Sequence, residues 1–148
     1  MTDHVAATID LDAPIERVWD ALTDHEKFGT WFRVDLDGPF RVGQITTGLV
    51  TFPGFEGCPW RAEVRAMERP NLFAFAWHPH AVDQDVDYSG EPMTLVEFRL
   101  ESIGDRTRLT VTESGFDALP EARRWLAMRE NAKGWGIQMQ NVAAYVSS

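Results

Sequence analysis

LPEARRWLAMRENAKGWGIQMQNVAAYV, residues 119–146, is the stretch that decides the fold. Trp125, Met128, Ala132, Trp135, Met139, Val142 and Val146 step by three and four in turn. That spacing lays one apolar stripe along a helix of about six turns. Two glycines, Gly134 and Gly136, flank Trp135 in its middle. Each costs about 1 kcal/mol relative to alanine inside a helix, so a close backbone approach or a thin wall is expected there. On this ground a pocket is placed near Trp135.

A long helix with one apolar stripe needs a surface to pack on, and the preceding residues supply one. From about Trp31 the apolar period is two rather than 3.6. WFRVDL, GQITTGLVTF, WRAEVRAME, NLFAFAWH, TLVEFRLE and TRLTVTES all read as strands, joined by DGPF, PGFEGCP, ERPN and IGDR. The last two strands form the clearest hairpin, bending at Gly104-Asp105. Short connections of this kind imply a largely antiparallel sheet. Ahead of them HVAATIDL alternates, with Val5, Ala7, Ile9 and Leu11 on one face. DAPIERVWDALTD then reads as a helix capped by Asp12 or Ala13, with Pro14 near its first position and an apolar stripe of Ile15, Val18, Trp19 and Leu22. HEKFGTWF reads as a second short helix closing at Gly29. The order is therefore strand, two short helices, six strands and a long helix, an α+β chain. A strongly curved antiparallel sheet could wrap the long helix and share an interior with it. A flatter sandwich without a cavity is the alternative.

A chain of 148 residues fits one domain and buries enough surface to fold without a disulfide or metal. Its one cysteine, Cys58, excludes an internal disulfide and a cysteine-ligated cluster. MTDHVAATIDL has neither a basic start nor a long apolar run, so no signal peptide is expected, and no segment is apolar enough for a membrane span. The cytoplasm is the expected compartment. A net charge of −9 argues against nucleic acid and against anionic membrane surfaces as partners, although EARRW and GDRTR leave room for a local basic patch.

IDLDAPIERVWDALTDHEKFGTWF resembles the opening of the family named for homology to the activator of heat-shock protein 90 ATPase. TLVEFRL with GDRTRLTVTESGF resembles its penultimate hairpin, and GWGIQMQNVAAYV its C-terminal helix. The likeness runs in order over nearly the whole chain. It implies membership of the START-like, SRPBCC group, with the helix-grip fold: a curved seven-stranded sheet around the last helix, and an apolar cavity between them. Members of that wider group bind lipids, sterols, polyketides and plant hormones, and some are cyclases or hydrolases. The fold is a shared container rather than a shared chemistry. The eukaryotic activator carries an additional N-terminal domain for chaperone contact. Here the chain opens almost at the first strand, so that module, and chaperone activation with it, is not expected.

WHPHAVDQDVDYSGEP, residues 77–92, holds His78, His80 and the carboxylates Asp83, Asp85, Asp87 and Glu91, with no Lys or Arg from Pro70 to Phe98. Two imidazoles two residues apart can chelate a divalent ion, but Pro79 between them breaks a strand, and such patterns misfire often. The acids alternate with Val82, Val86 and Tyr88, which suits a solvated rim or lid. His78, nearest the strand, is the residue expected to face the cavity. There is no G-x-S-x-G for a serine hydrolase. GWGIQM lacks the third glycine of a dinucleotide fingerprint and lies inside a helix, so no cofactor is expected. Cys58 in GCPW reads as a packed or loop thiol.

Glu113 continues the face of Thr107, Leu109 and Val111, which would carry it to the end of the cavity. There it could orient a ligand hydroxyl or exchange a proton. On the strand at 72–78, Phe73, Phe75 and Trp77 share one face and Leu72, Ala74, Ala76 and His78 the other, and the pattern alone does not choose between them. The expected ligand contacts are Trp135 and Met139 on the helix and Trp77, Phe75 and Phe98 on strands, with Glu113 or His78 as polar anchor. The expected ligand is a small apolar or aromatic molecule. Two alternatives stand beside binding: a cyclase or hydrolase using Glu113 with His78, and an interaction domain whose partner is a chaperone or a second copy of the chain.

Overall fold

The computed structural model describes residues 3–81, 83 and 85–147. In chain order the elements are β1 (His4–Leu11), α1 (Ile15–Thr23), α2 (His25–Phe32), β2 (Val34–Leu36), β3 (Ile45–Val50), β4 (Pro59–Glu68), β5 (Leu72–Trp77), β6 (Thr94–Ile103), β7 (Arg106–Ser114) and α3 (Glu121–Ser147). A short 3-10 turn at Phe116–Ala118 precedes α3. The strands make one seven-stranded sheet in the order β1-β7-β6-β5-β4-β3-β2, every neighbouring pair antiparallel. Successive strands pair from β2 to β7, and only β1 is brought in from a distance, closing against β7. A register shift between Val64 and Ala66 interrupts the β4–β5 pairing, and irregularities of this kind bend a strand. The sheet curves around α3, as the helix-grip arrangement requires.

The strand alternation sorts into faces as period two demands. Phe73 and Phe75 on β5, Val96 and Phe98 on β6, and Leu109 and Val111 on β7 are wholly buried. Phe98 pairs in register with Phe73 on one side and Val111 on the other. The aromatic face of β5 therefore points inward. Ala74 and Ala76 on its other face are buried too, being small enough to sit between neighbouring strands. The interior that results is a continuous aromatic cluster. Phe28 packs against Trp31, Phe32, Phe40, Trp60 and Phe75, with ring centroids 4.8 to 6.4 Å apart. Such offset and edge contacts add to the area they bury.

Four details differ from the sequence reading. Pro14 itself takes the N-cap of α1, without a side-chain cap, and neither Asp12 nor Ala13 does. Trp31 and Phe32 belong to α2 rather than to a strand. That helix runs through Gly29 and closes at Arg33, whose φ of 71° reverses the chain into β2. Gly29 is needed for a different reason: a Cβ there would run into the carbonyl oxygen of Val34.

The fourth concerns the stripe of α3. Trp125 is 55% exposed and Ala132 is exposed as well, while Asn131 is half-buried and Gln138 buried. At 3.6 residues per turn, Trp125 and Ala132 lie roughly 60–80° round the helix from Trp135, whereas Asn131 and Gln138 lie roughly 40–60° round the other way. The inner line is Met128, Asn131, Trp135, Met139, Val142 and Val146, with polar residues filling places that an apolar pattern passes over. Among the described residues no helix is long and apolar enough to cross a membrane.

Candidate functional site

One wide pocket of about 440 Å³ opens beside α3. Its floor is aromatic: Phe32 from the end of α2, Trp60 on β4, Trp77 on β5 and Trp135 on α3. The β3–β4 turn contributes Phe52, Phe55 and Cys58, the β5–β6 connection contributes His78, His80 and Tyr88, and α3 contributes Asn131, Gly134, Ile137 and Gln138. Trp77 and Trp135 lie stacked, 5.7 Å between centroids at 26°. Phe32 meets both edge-on at 6.2 Å, and Trp60 meets Trp77 at 6.0 Å. The walls are thus rings fixed by other rings. Trp60 Nε1 is buried and has no hydrogen-bond partner among the described residues.

The polar group that orders this floor is Glu113. It is fully buried at the end of β7. Its Oε1 accepts hydrogen bonds from Trp135 Nε1 (2.9 Å) and Asn131 Nδ2 (2.9 Å). Its Oε2 accepts from Trp77 Nε1 (2.8 Å), Thr94 Oγ1 (2.5 Å) and again Asn131 Nδ2 (3.2 Å). All four donors are uncharged. A carboxylate has about four acceptor positions, and here the protein fills them. Glu113 does not line the pocket; it stands behind the two indoles that do. Gln138 ties the same wall to α2 by donating from Nε2 to the Phe32 carbonyl (2.9 Å).

The rim is held by α3. From its first turns Arg123 donates from Nε to Glu91 Oε1 (2.9 Å), from Nη1 to the His80 carbonyl (3.2 Å) and from Nη2 to the Pro79 carbonyl (2.9 Å). Its guanidinium also lies 4.7 Å from the centroid of Tyr88. The positive charge missing from residues 70–98 is therefore supplied from outside them, and the rim is strapped to α3. His78 donates from Nε2 to the Glu91 carbonyl (3.0 Å). His80 adopts a left-handed backbone, φ 49°. Burial holds its imidazole below the usual histidine range; the Glu130 carboxylate opposes that shift and the Arg123 guanidinium adds to it. Val86 is exposed, and Val82 lies outside the described residues. Among the described residues of this connection no strand forms, and no three His, Cys, Asp or Glu side chains gather as a metal site would need.

Of the residues singled out from the sequence, Trp135, Trp77 and His78 lie on the pocket wall. Phe75, Phe98 and Met139 do not. They are at most 2% exposed and belong to the packed core behind it, because the inward sheet face is filled by ring-on-ring contacts down to Trp135. The hollow expected deep between sheet and helix is solid at that depth, and the open space lies at its rim. Glu113 and His78 share no hydrogen bond: Glu113 is engaged by indoles, Asn131 and Thr94, and His78 by a loop carbonyl. Around Gly134 and Gly136 nothing lies within 4 Å of an added Cβ, so close backbone approach is not their role, whereas Gly134 is part of the pocket wall. Phe32, Trp60, Asn131, Gln138 and Arg123 were missed. For Asn131 and Gln138 the usable signal was their helical phase, since both fall on the Trp135 side.

This arrangement is a helix-grip fold with an aromatic pocket at its rim. Residues 12–147 match the model of the family described as activator of Hsp90 ATPase homolog 1-like protein, and the chain belongs to that family. No curated protein matches it. Similar solved structures include DynU16, a protein of the dynemicin biosynthetic locus, at 24% identity and TM-score 0.77. The alignment covers 100% of this chain and 48% of that one, so this chain spans about half the length of DynU16. MLL2253 from Mesorhizobium loti is similar at 23% identity and TM-score 0.77, over 97% of this chain and 96% of that one. The Aha1 dimer from Colwellia psychrerythraea is similar at 18% identity and TM-score 0.72, over 99% and 96%. At these identities the likeness is one of fold.

Proposed function

We propose that this protein binds a small apolar or aromatic molecule in the pocket between α3, the β3–β4 turn and the β5–β6 connection, and holds it rather than transforms it. The observation that carries this reading is the floor of Phe32, Trp60, Trp77 and Trp135 beneath an open volume of about 440 Å³. Sites for small molecules are of that size and are lined mainly by hydrophobic and aromatic groups with a few polar ones. Exposed Phe55 and Ile137 at the mouth extend the apolar surface outward. Binding is preferred to turnover because Glu113, the buried carboxylate behind the floor, is already saturated by protein donors and shares no hydrogen bond with His78. Membership of a family in the SRPBCC group supports the same reading.

Gly134→Leu tests it. The new side chain leaves the helix where nothing stands within 4 Å and enters the pocket. Replacing a helical glycine also raises stability by about 0.5–1 kcal/mol. Binding of 1-anilinonaphthalene-8-sulfonate, followed by its fluorescence, should be lost while the urea midpoint rises. Dye binding that survives unchanged in this variant would rule out the pocket as the binding site. Native mass spectrometry of freshly purified protein provides a second check, with a co-purifying small molecule as the expected result.

A further inference from the structure

We infer that Glu113 is the positioning residue that makes the pocket selective for flat, conjugated ring systems over flexible aliphatic ones, an inference that rests on the pocket reading above. Trp77 and Trp135 come from different elements, β5 and α3, yet their N–H groups converge on one carboxylate. An indole has a single donor. Because both donors turn to Glu113, which lies outside the pocket lining, the surface these rings give the pocket is carbon. The same two bonds fix the angle between the rings at 26°. The stacked indole pair, with Phe32 and Trp60 set edge-on around it, forms a pre-organised wall that an aromatic plane can pack against. A flexible chain gains nothing from ring orientation and pays the entropy of being straightened.

Glu113→Gln changes this floor without touching the ligand. The amide offers one acceptor oxygen and places an NH2 against donors. Four donor groups, from Trp77, Trp135, Asn131 and Thr94, then compete for one oxygen, and at least one indole is released.

The test uses the full-length chain, labelled with 15N, and two probes: 2-hydroxyanthraquinone and decanoate. In the unliganded protein the Nε1–H signals of Trp77 and Trp135, assigned with Trp77→Phe and Trp135→Phe, should exchange with solvent far more slowly than that of Trp125, which is 55% exposed. In Glu113→Gln at least one of the two should shift and lose that protection. Affinity for 2-hydroxyanthraquinone should drop about tenfold or more, equivalent to ~1.4 kcal/mol, while that for decanoate changes by less than about threefold. Thr94→Val provides a gentler variant, removing one donor to Oε2 and leaving both indoles and the pocket wall in place. It should move the Trp77 signal, because Trp77 shares that oxygen. If Glu113→Gln fails to fold, Thr94→Val and the wild-type exchange rates decide the matter. A folded variant with unmoved indole signals, or one that weakens both probes equally, overturns the role given to Glu113 and leaves the pocket reading standing. Wild-type protein that binds neither probe overturns the pocket reading and the ligand class together.

Discussion

At Gly136 a side chain would project into open space from the exposed side of α3, away from the pocket. Gly136→Ala should therefore stabilise the protein by about 1 kcal/mol, read from urea unfolding, with dye binding unaltered. The contrast with Gly134→Leu separates a helix effect from a pocket effect. His80 makes a prediction of the opposite kind. Its ordinary value is 6.5, and burial lowers it in the folded protein, so between those two points the unfolded chain carries the proton and the native one does not. Folding is favoured above the unfolded value and loses that advantage as pH falls through the folded one. Urea unfolding at about pH 7.5 and about pH 5.5 should show a smaller loss of stability in His80→Gln than in the wild type. An identical loss in both would mean that the imidazole is not held in its half-buried place.

On the scale of whole elements, α3 carries two tasks at once. Its last turns pack Met139, Val142 and Val146 into the main core, while its first turns reach out through Arg123 to hold the β5–β6 connection. Both partners of the Arg123–Glu91 pair are about four-fifths shielded from water. Arg123→Met keeps much of the stem and removes the bonds. It should cost about 1–3 kcal/mol and speed amide exchange in residues 85–91, with the strands of the sheet little affected. If those amides are unmoved, Arg123 is not what holds the rim. The elements themselves could be read from the sequence because each was announced by its own period: Phe73, Phe75 and Trp77 by alternation, Trp135, Met139 and Val142 by threes and fours. The site could not, because its organisation depends on pairs no period encodes. Arg123 meets Glu91 across 32 positions, and Glu113 meets Trp135 across 22. Asn131 and Gln138 occupy inward places with polar side chains, so a search for apolar stripes took Trp125 and Ala132 instead.

On the scale of the whole molecule, most of the buried apolar side chains among the described residues fall into two clusters of very different size. The larger fills the sheet's concave side and takes Trp135, Met139, Val142 and Val146 from α3. The smaller holds Phe116, Leu119, Ala127 and Met128, with Val5 against it. The pocket-lining segment of α3 from Glu130 to Gln138 lies where the helix passes from the small cluster to the large one. A cavity at the seam between two packed regions can open without disturbing either core. Few buried apolar groups anchor the N-terminal third of α3, and two of its large side chains, Trp125 and Leu126, face water. Regions so placed open by smaller free energies than the global one. Native-state hydrogen exchange should therefore find amides before Asn131 released by local opening, while those after Trp135 exchange only with the sheet. A bound molecule would touch α3 from Glu130 to Gln138 and the rim residues His80 and Tyr88 that Arg123 holds, so saturating 2-hydroxyanthraquinone should slow exchange before Asn131 most. The slowing expected at a hundredfold excess over the dissociation constant corresponds to about 2.7 kcal/mol. Uniform protection along α3 with no ligand present would mean that the two clusters act as one, and the pocket would then have no seam to open along.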